Sequence, residues 1–131
     1  MGLSSKVLVA AFAVTASLFF APDALADAGD VERRGSCSDT SHWELDLSKD
    51  NGGIEVDFEV DQRVAGDVWR VTLKHDGDVF FNDTRTTHAD DDGGASFDVE
   101  RHVDDHSGTD HFVARAVNRS TDEVCRGTAS I

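Results

Sequence analysis

The sequence predicts an all-β fold, a single antiparallel sandwich of about seven strands. Three observations lead there. Apolar residues recur with period two and form no helical stripe. Glycines punctuate the apolar runs. The segments between them are short and similar in length, as in two-sheet all-β domains.

The first strand is expected at about 36–48, where Trp43, Leu45 and Leu47 alternate with Glu44 and Asp46. In the second, at 53–61, Ile54, Val56, Phe58 and Val60 alternate strictly with Glu55, Asp57, Glu59 and Asp61. The third, at 67–75, sets Trp69, Val71 and Leu73 against Arg70, Thr72 and Lys74. The fourth, at 78–87, carries Val79, Phe80 and Phe81 in succession. One of these phenylalanines is therefore expected on the outer face or at a corner buried on both sides. Ala95, Phe97 and Val99 mark the fifth strand at 95–103, and Phe112, Ala114 and Ala116 the sixth at 110–118. A seventh at 123–131 closes the domain. Gly52-Gly53, Gly66, Gly77, Gly93-Gly94 and Gly108 fall between consecutive segments. Asp76-Gly77 is a strong hairpin dipeptide, since both positions of the tight turn need positive φ.

The second and third segments can be registered as a hairpin across Gln62–Gly66. With Asp61 opposite Val68, Glu59 meets Arg70 and Glu55 meets Lys74 outside. Val60 meets Trp69, Phe58 meets Val71 and Val56 meets Leu73 inside.

Residues 1–26 have the organisation of a cleaved secretory signal peptide. Lys6 precedes the uncharged apolar run Val7–Phe20, Pro22 breaks it, and Ala24-Leu25-Ala26 presents small residues before Asp27. The run is short for a bilayer, which needs about 20 residues. No arginine pair precedes it and no cysteine ends it, so twin-arginine export and lipidation are not expected. Residues 27–35 are polar and aperiodic and read as a flexible arm before the domain at 36–131. In an oxidising compartment Cys37 and Cys125 are expected to form a disulfide. Closing so long a loop removes about 4.5 kcal/mol of unfolded-state entropy.

The whole chain has 26 Asp plus Glu against 12 Lys plus Arg, a formal net charge of −14. Loss of the leader removes only Lys6 and Asp23, so the imbalance persists. It argues against nonspecific nucleic-acid binding, which needs clustered cations, and against docking on an anionic membrane. The expected product is a secreted extracellular monomer in which acidity serves solubility. Screening of self-repulsion should then raise its melting temperature between low salt and about 0.5 M NaCl; a steady fall would count against this.

From Asp105 to Asn118 the chain reads DHSGTDHFVARAVN. This resembles the corner before the sixth strand of immunoglobulin-like domains, with Phe112 in the place usually held by tyrosine. Trp69 lies where such domains carry a core tryptophan. The cysteines usual in that family are missing, and Phe58 and Ala114 stand near their places. With SCSDTSHWEL, IEVDFEVDQ, WRVTL, TRTT and CRGTASI, the region 35–131 is similar to small secreted immunoglobulin-like proteins of actinobacteria. The resemblance implies a fold and an origin but no activity, because the fold hosts many functions.

Few constellations suggest chemistry. Asp90, Asp91 and Asp92, followed by Gly93-Gly94, are candidate calcium ligands in a loop, with Asp104, Asp105 and Asp110 as possible additions. His102, His106 and His111 are candidate transition-metal ligands, although their spacing on strand and loop does not bring three rings to one point. There is no G-x-S-x-G or H-E-x-x-H pattern, and no enzymatic activity is expected. Asn82-Asp83-Thr84 and Asn118-Arg119-Ser120 are formal glycosylation sequons. The expected function is non-catalytic binding of an extracellular protein or small molecule, or a structural role. Alternatives are a chromophore-type small-molecule carrier, a calcium-binding module, or a hydrolase inhibitor acting through Gln62–Gly66 or His88–Gly94.

Overall fold

Alternating sequence becomes alternating faces in the computed structural model, which describes residues 29–131. The leader at 1–26 lies outside these residues. The described chain forms β1 (Val31–Ser36), β2 (His42–Asp50), β3 (Gly53–Gln62), β4 (Val68–His75), β5 (Asp78–Thr86), β6 (His88–Ala89), β7 (Ala95–Asp104), β8 (His111–Asn118) and β9 (Val124–Ser130). They make two antiparallel sheets, ordered β1-β2-β3-β7-β6 and β5-β4-β8-β9. The all-β sandwich is thus as expected, and the seven strands read from the sequence correspond to β2–β5 and β7–β9.

Two expectations need correction. Part of the segment read as an arm, 27–35, is strand: β1 pairs with β2 from Val31↔Leu47 to Ser36↔His42. Its inward positions are Val31, Arg33 and Gly35, so it carries no apolar period for a sequence reading to find. The supposed hairpin of β3 and β4 does not exist. β3 lies between β2 and β7, whereas β4 lies between β5 and β8 in the other sheet. The apolar half of the proposed register was self-consistent because both strands face the same core from opposite sides.

The crossing is made at Gln62–Asp67. Trp69 Nε1 donates to Gln62 Oε1 at 2.9 Å, and Gln62 Nε2 donates to Asp67 Oδ2 at 2.5 Å. The same oxygen accepts from Nδ2 of the buried Asn118 at 2.8 Å. Hydrogen bonds from Asn118 and Gln62 hold the Asp67 pKa below the ordinary carboxylate value against a smaller effect of burial. Gly66 N donates to Thr87 O at 2.8 Å, which fixes the other side of the connection.

Phe58, Trp69 and Phe112 fill the space between the sheets with Leu45, Leu47, Ile54, Val56, Val60, Val71, Leu73 and Val99, all essentially without exposure. The Asn51-Gly52 and Asp76-Gly77 turns have φ of 48° and 78°, and 49° and 91°, which joins β2 to β3 and β4 to β5 by two residues each. A register shift opposite Leu73/Lys74 resolves the Val79-Phe80-Phe81 run. Phe81 enters the core, Phe80 packs partly buried against it, and Val79 is the residue left exposed.

Cys37 and Cys125 form a disulfide across 88 residues. It ties the turn after β1 to β9 and so links one sheet to the other. The buried Glu123 carboxylate reinforces this clasp by accepting from Ser41 N at 2.9 Å and Ser41 Oγ at 2.6 Å. Trp43 seals the same edge; a Cβ on Gly35 or Gly127 would overlap its ring, so both positions require glycine. Replacing both cysteines by serine should lower unfolding free energy by about 4–5 kcal/mol, from the entropy of an open loop. Urea titration of the variant checks this; a loss under about 1 kcal/mol would mean that the clasp holds without the bond.

Candidate functional site

Separating β3 from β4 sorts charge onto opposite outer faces. On the five-stranded sheet the outward side chains face one another in acidic rows. Glu32, Asp46, Asp57 and Glu100 are successive cross-strand partners on β1, β2, β3 and β7. Glu44, Glu59 and Asp98 form a second row, and Glu55 and Asp61 extend β3 at either end. Like charges directly opposite each other are destabilising. Arg34 relieves one edge, bonding Glu32 Oε1 at 2.6 Å and Glu44 Oε2 at 2.8 Å.

Ionisation on this face is suppressed. Burial, then repulsion and a hydrogen bond from Glu44, then repulsion from Glu32 and Asp57 push the Asp46 pKa up to about 6. Burial followed by Asp61, Glu44 and Asp57 pushes Glu59 up to about 7. Asp57 is raised by burial first and then by Asp98, Glu100, Glu55 and Glu44. Asp46 Oδ1 and Asp57 Oδ1 are buried without a hydrogen-bond partner.

The outer face of the four-stranded sheet is the reverse. Arg70, Thr72 and Lys74 on β4 lie beside Val117, Arg115 and Val113 on β8, and Arg115 lies opposite Arg126 on β9. Thr72, Lys74, Val113, Arg115 and Arg126 line a shallow concavity of about 390 Å³. Among the described residues none of Arg70, Lys74, Arg115 and Arg126 forms an ion pair. Arg70 Nε donates to Asn82 Oδ1 at 2.8 Å.

A third feature sits at one end of the sandwich, where the β4–β5 turn meets the connection from β7 to β8. The turn supplies His75 and Asp76, and the connection supplies His106 and Asp110. One ligand atom from each lies within 4.8 Å of all the others. His75 Nε2 is 2.5 Å from Asp110 Oδ1 and 3.4 Å from Asp76 Oδ2. His106 Nδ1 is 2.8 Å from Asp76 Oδ2 and 3.9 Å from Asp110 Oδ1. Asp110 is fully buried, and its second oxygen, Oδ2, has no hydrogen-bond partner. The His75 ring is stacked between His106, at 4.2 Å, and Phe112, at 4.5 Å. Burial opposes ionisation of Asp110, but hydrogen bonds from His75 and the His106 amide outweigh it and keep its pKa low. The His111 amide, followed by the His106 ring, lowers the Asp76 pKa, and the bond to Asp76 raises that of His106.

The residues singled out in the sequence are mostly dispersed. Asp90, Asp91 and Asp92 occupy a tight turn closed by Asp90 N to Gly94 O at 2.9 Å. Asp90 Oδ1 accepts from Ser96 Oγ and Asp92 Oδ1 from Gly94 N, so two of the three are engaged in holding the turn. None of the three belongs to a converging group of possible ligands among the described residues. Asp105 pairs with Lys49 at 2.7 Å. His102 contacts Asp50 O and His111 contacts Ser130 Oγ, leaving His106 alone of that trio in the corner. His75 escaped the sequence reading, and Asp76 was noticed only as a turn residue. The doublets His75-Asp76, Asp105-His106 and Asp110-His111 were the available signal.

The molecule matches no family model, no curated protein and no solved structure.

Stability should depend on pH in a direction set by the acidic face. Carboxylates whose folded pKa is raised hold protons that the unfolded chain has released, so stability falls as pH rises between about 4 and about 7. Asp67, Asp76 and Asp110 act oppositely: their contribution is lost as pH falls below the ordinary aspartate value of 3.8. At constant ionic strength the melting temperature should therefore be higher at pH 5 than at pH 8. Asp57→Asn should narrow that difference. An equal or higher value at pH 8 in the unsubstituted protein would show that the rows are not under strain.

Proposed function

We propose that this is a secreted, non-catalytic binding protein with an immunoglobulin-like sandwich, and that it engages an anionic extracellular partner through the outer face of β4, β8 and β9. The observation that carries the reading is the set of four cations without ion-pair partners on one face of a protein of net charge −14. Charges kept for solubility alone have no reason to gather on one side, away from the carboxylates that would neutralise them. Arg115 and Arg126, side by side, present planar guanidinium groups suited to carboxylate or phosphate oxygens. Thr72 adds a hydroxyl and Val113 an apolar floor.

The strand order supports the fold assignment. Setting β1 and the short β6 aside, β2-β3-β7 and β5-β4-β8-β9 follow the distribution of strands between the two sheets of an immunoglobulin-like domain. The disulfide fits an oxidising destination, and no helix among the described residues is long and apolar enough to cross a membrane. A carrier role has less support, because side chains occupy the space between the sheets. An inhibitor role draws little from Gln62–Gly66, which is tied down by Thr87 and by the hydrogen bonds around Asp67.

The test is titration of poly-L-glutamate and, separately, polyphosphate into the protein at low salt. Binding of at least one is expected, with an affinity that falls as NaCl rises. Arg115→Glu with Arg126→Glu should weaken it at least tenfold without lowering the melting temperature. The stronger response identifies the group preferred. Binding that survives the double substitution, or no binding to either polymer, would refute this assignment of the face.

A further inference from the structure

We infer that His75, Asp76, His106 and Asp110 form a binding site for one divalent transition-metal ion of the zinc type. Two imidazole nitrogens and two carboxylate oxygens are a donor set that zinc accepts in tetrahedral sites. Hard cations are less well served, since calcium seeks six to eight oxygens. With both histidines neutral, the two carboxylates carry the charge that a divalent ion cancels.

The spacing is close to what coordination requires. Zinc bonds of about 2.0–2.1 Å in a tetrahedron place neighbouring ligand atoms about 3.3 Å apart. The four nitrogen–oxygen separations, 2.5, 2.8, 3.4 and 3.9 Å, bracket that value. The two short ones are hydrogen bonds between a ring nitrogen and a carboxylate oxygen. An entering ion takes the place of the two shared protons: each neutral imidazole gives up its proton at the coordinating nitrogen and takes one up from solvent at its other ring nitrogen, so both rings stay neutral, and the short pairs open by less than 1 Å.

Three further features distinguish this corner from a chance surface cluster. Asp110 is fully buried with its Oδ1 facing both ring nitrogens, and its Oδ2 has no hydrogen-bond partner, so this buried carboxylate is under-satisfied by hydrogen bonds alone. Asp76 is fixed by its turn, since its φ of 49° is held by the hairpin and its Oδ1 accepts from His111 N at 2.9 Å, leaving Oδ2 for the site. His75 cannot rotate freely because its ring is clamped by Phe112.

His106 is the adjustable member. Its ring lies 15° from parallel with His75, and two stacked rings cannot both aim an in-plane lone pair at one ion. His106 is about half exposed and free to swing, whereas His75 is not. Metal uptake therefore unstacks His106 from His75 and pins the β7–β8 connection to the β4–β5 turn.

The experiment titrates zinc chloride into tag-free, chelator-treated protein and follows heat, melting temperature and histidine ring NMR signals. One zinc per chain is expected, with a raised melting temperature and shifted His75 and His106 resonances; magnesium at the same concentration should do neither. His106→Ala and Asp76→Asn remove one ligand each. Asparagine also suits the positive φ of the turn, and alanine at the half-exposed His106 opens no core cavity, so both variants should still fold in chelator, with a lowered melting temperature where the Asp76–His106 bond is lost. Each should bind zinc at least tenfold more weakly, while His88→Ala, outside the corner, should bind as the parent does. Absence of a zinc response in the parent overturns the proposal. So does a loss below tenfold in either ligand variant, or a zinc response that leaves the His75 and His106 signals unmoved.

Discussion

The rest of the structure depends on the crossing between β3 and β4. Gln62, Asp67, Trp69 and Asn118 bond in a chain that ends one sheet and begins the other. A tight turn at this point would have produced a hairpin with Glu59 beside Arg70 and Glu55 beside Lys74. The crossing instead sends the two strands to opposite layers, where their apolar sides meet face to face across the core. That arrangement buries Trp69 with its indole N–H satisfied, which a large polar-tipped ring needs in a dry interior.

Charge segregation follows directly. Once β3 is flanked by β2 and β7, the two central outward carboxylates, Asp57 and Glu59, have carboxylates on both sides. The four-stranded sheet keeps Arg70, Lys74, Arg115 and Arg126 without acidic neighbours across its strands. The repulsion is partly relieved by retained protons on Asp46 and Glu59, whose pKa values rise to about 6 and about 7. Such a fold needs reinforcement elsewhere, and the edge of the sandwich supplies it. The Cys37–Cys125 bond, the Glu123 contacts to Ser41 and the Trp43 ring lying against Gly35 and Gly127 all act there.

The His75–Asp110 corner is a product of turn chemistry and topology together. The Asp76-Gly77 hairpin places His75 and Asp76 at the end of the sandwich. The connection after β7 arrives at the same end because β8 pairs with β4, bringing His75 opposite Phe112. Asp110 is drawn inward by backbone bonds in both directions with Ile131, at 2.9 and 3.0 Å. A carboxylate buried in this way needs partners, and the two histidines supply them.

The sequence by itself determined the strands, the turns and which side of each strand faces the core, because period two and positive-φ glycines act within a few residues of chain. It also identified the two cysteines that pair. It could not expose β1, whose inward positions carry one apolar residue, Val31, beside Arg33 and Gly35, nor decide which strands pair, because both sheets read the same alternation. Only the tertiary structure decided that the acidic β3 would lie beside the acidic β7 and that His75 and His106 would stack. Those outcomes depend on contacts between residues about 30 or more positions apart, and no local pattern encodes which distant segment will arrive.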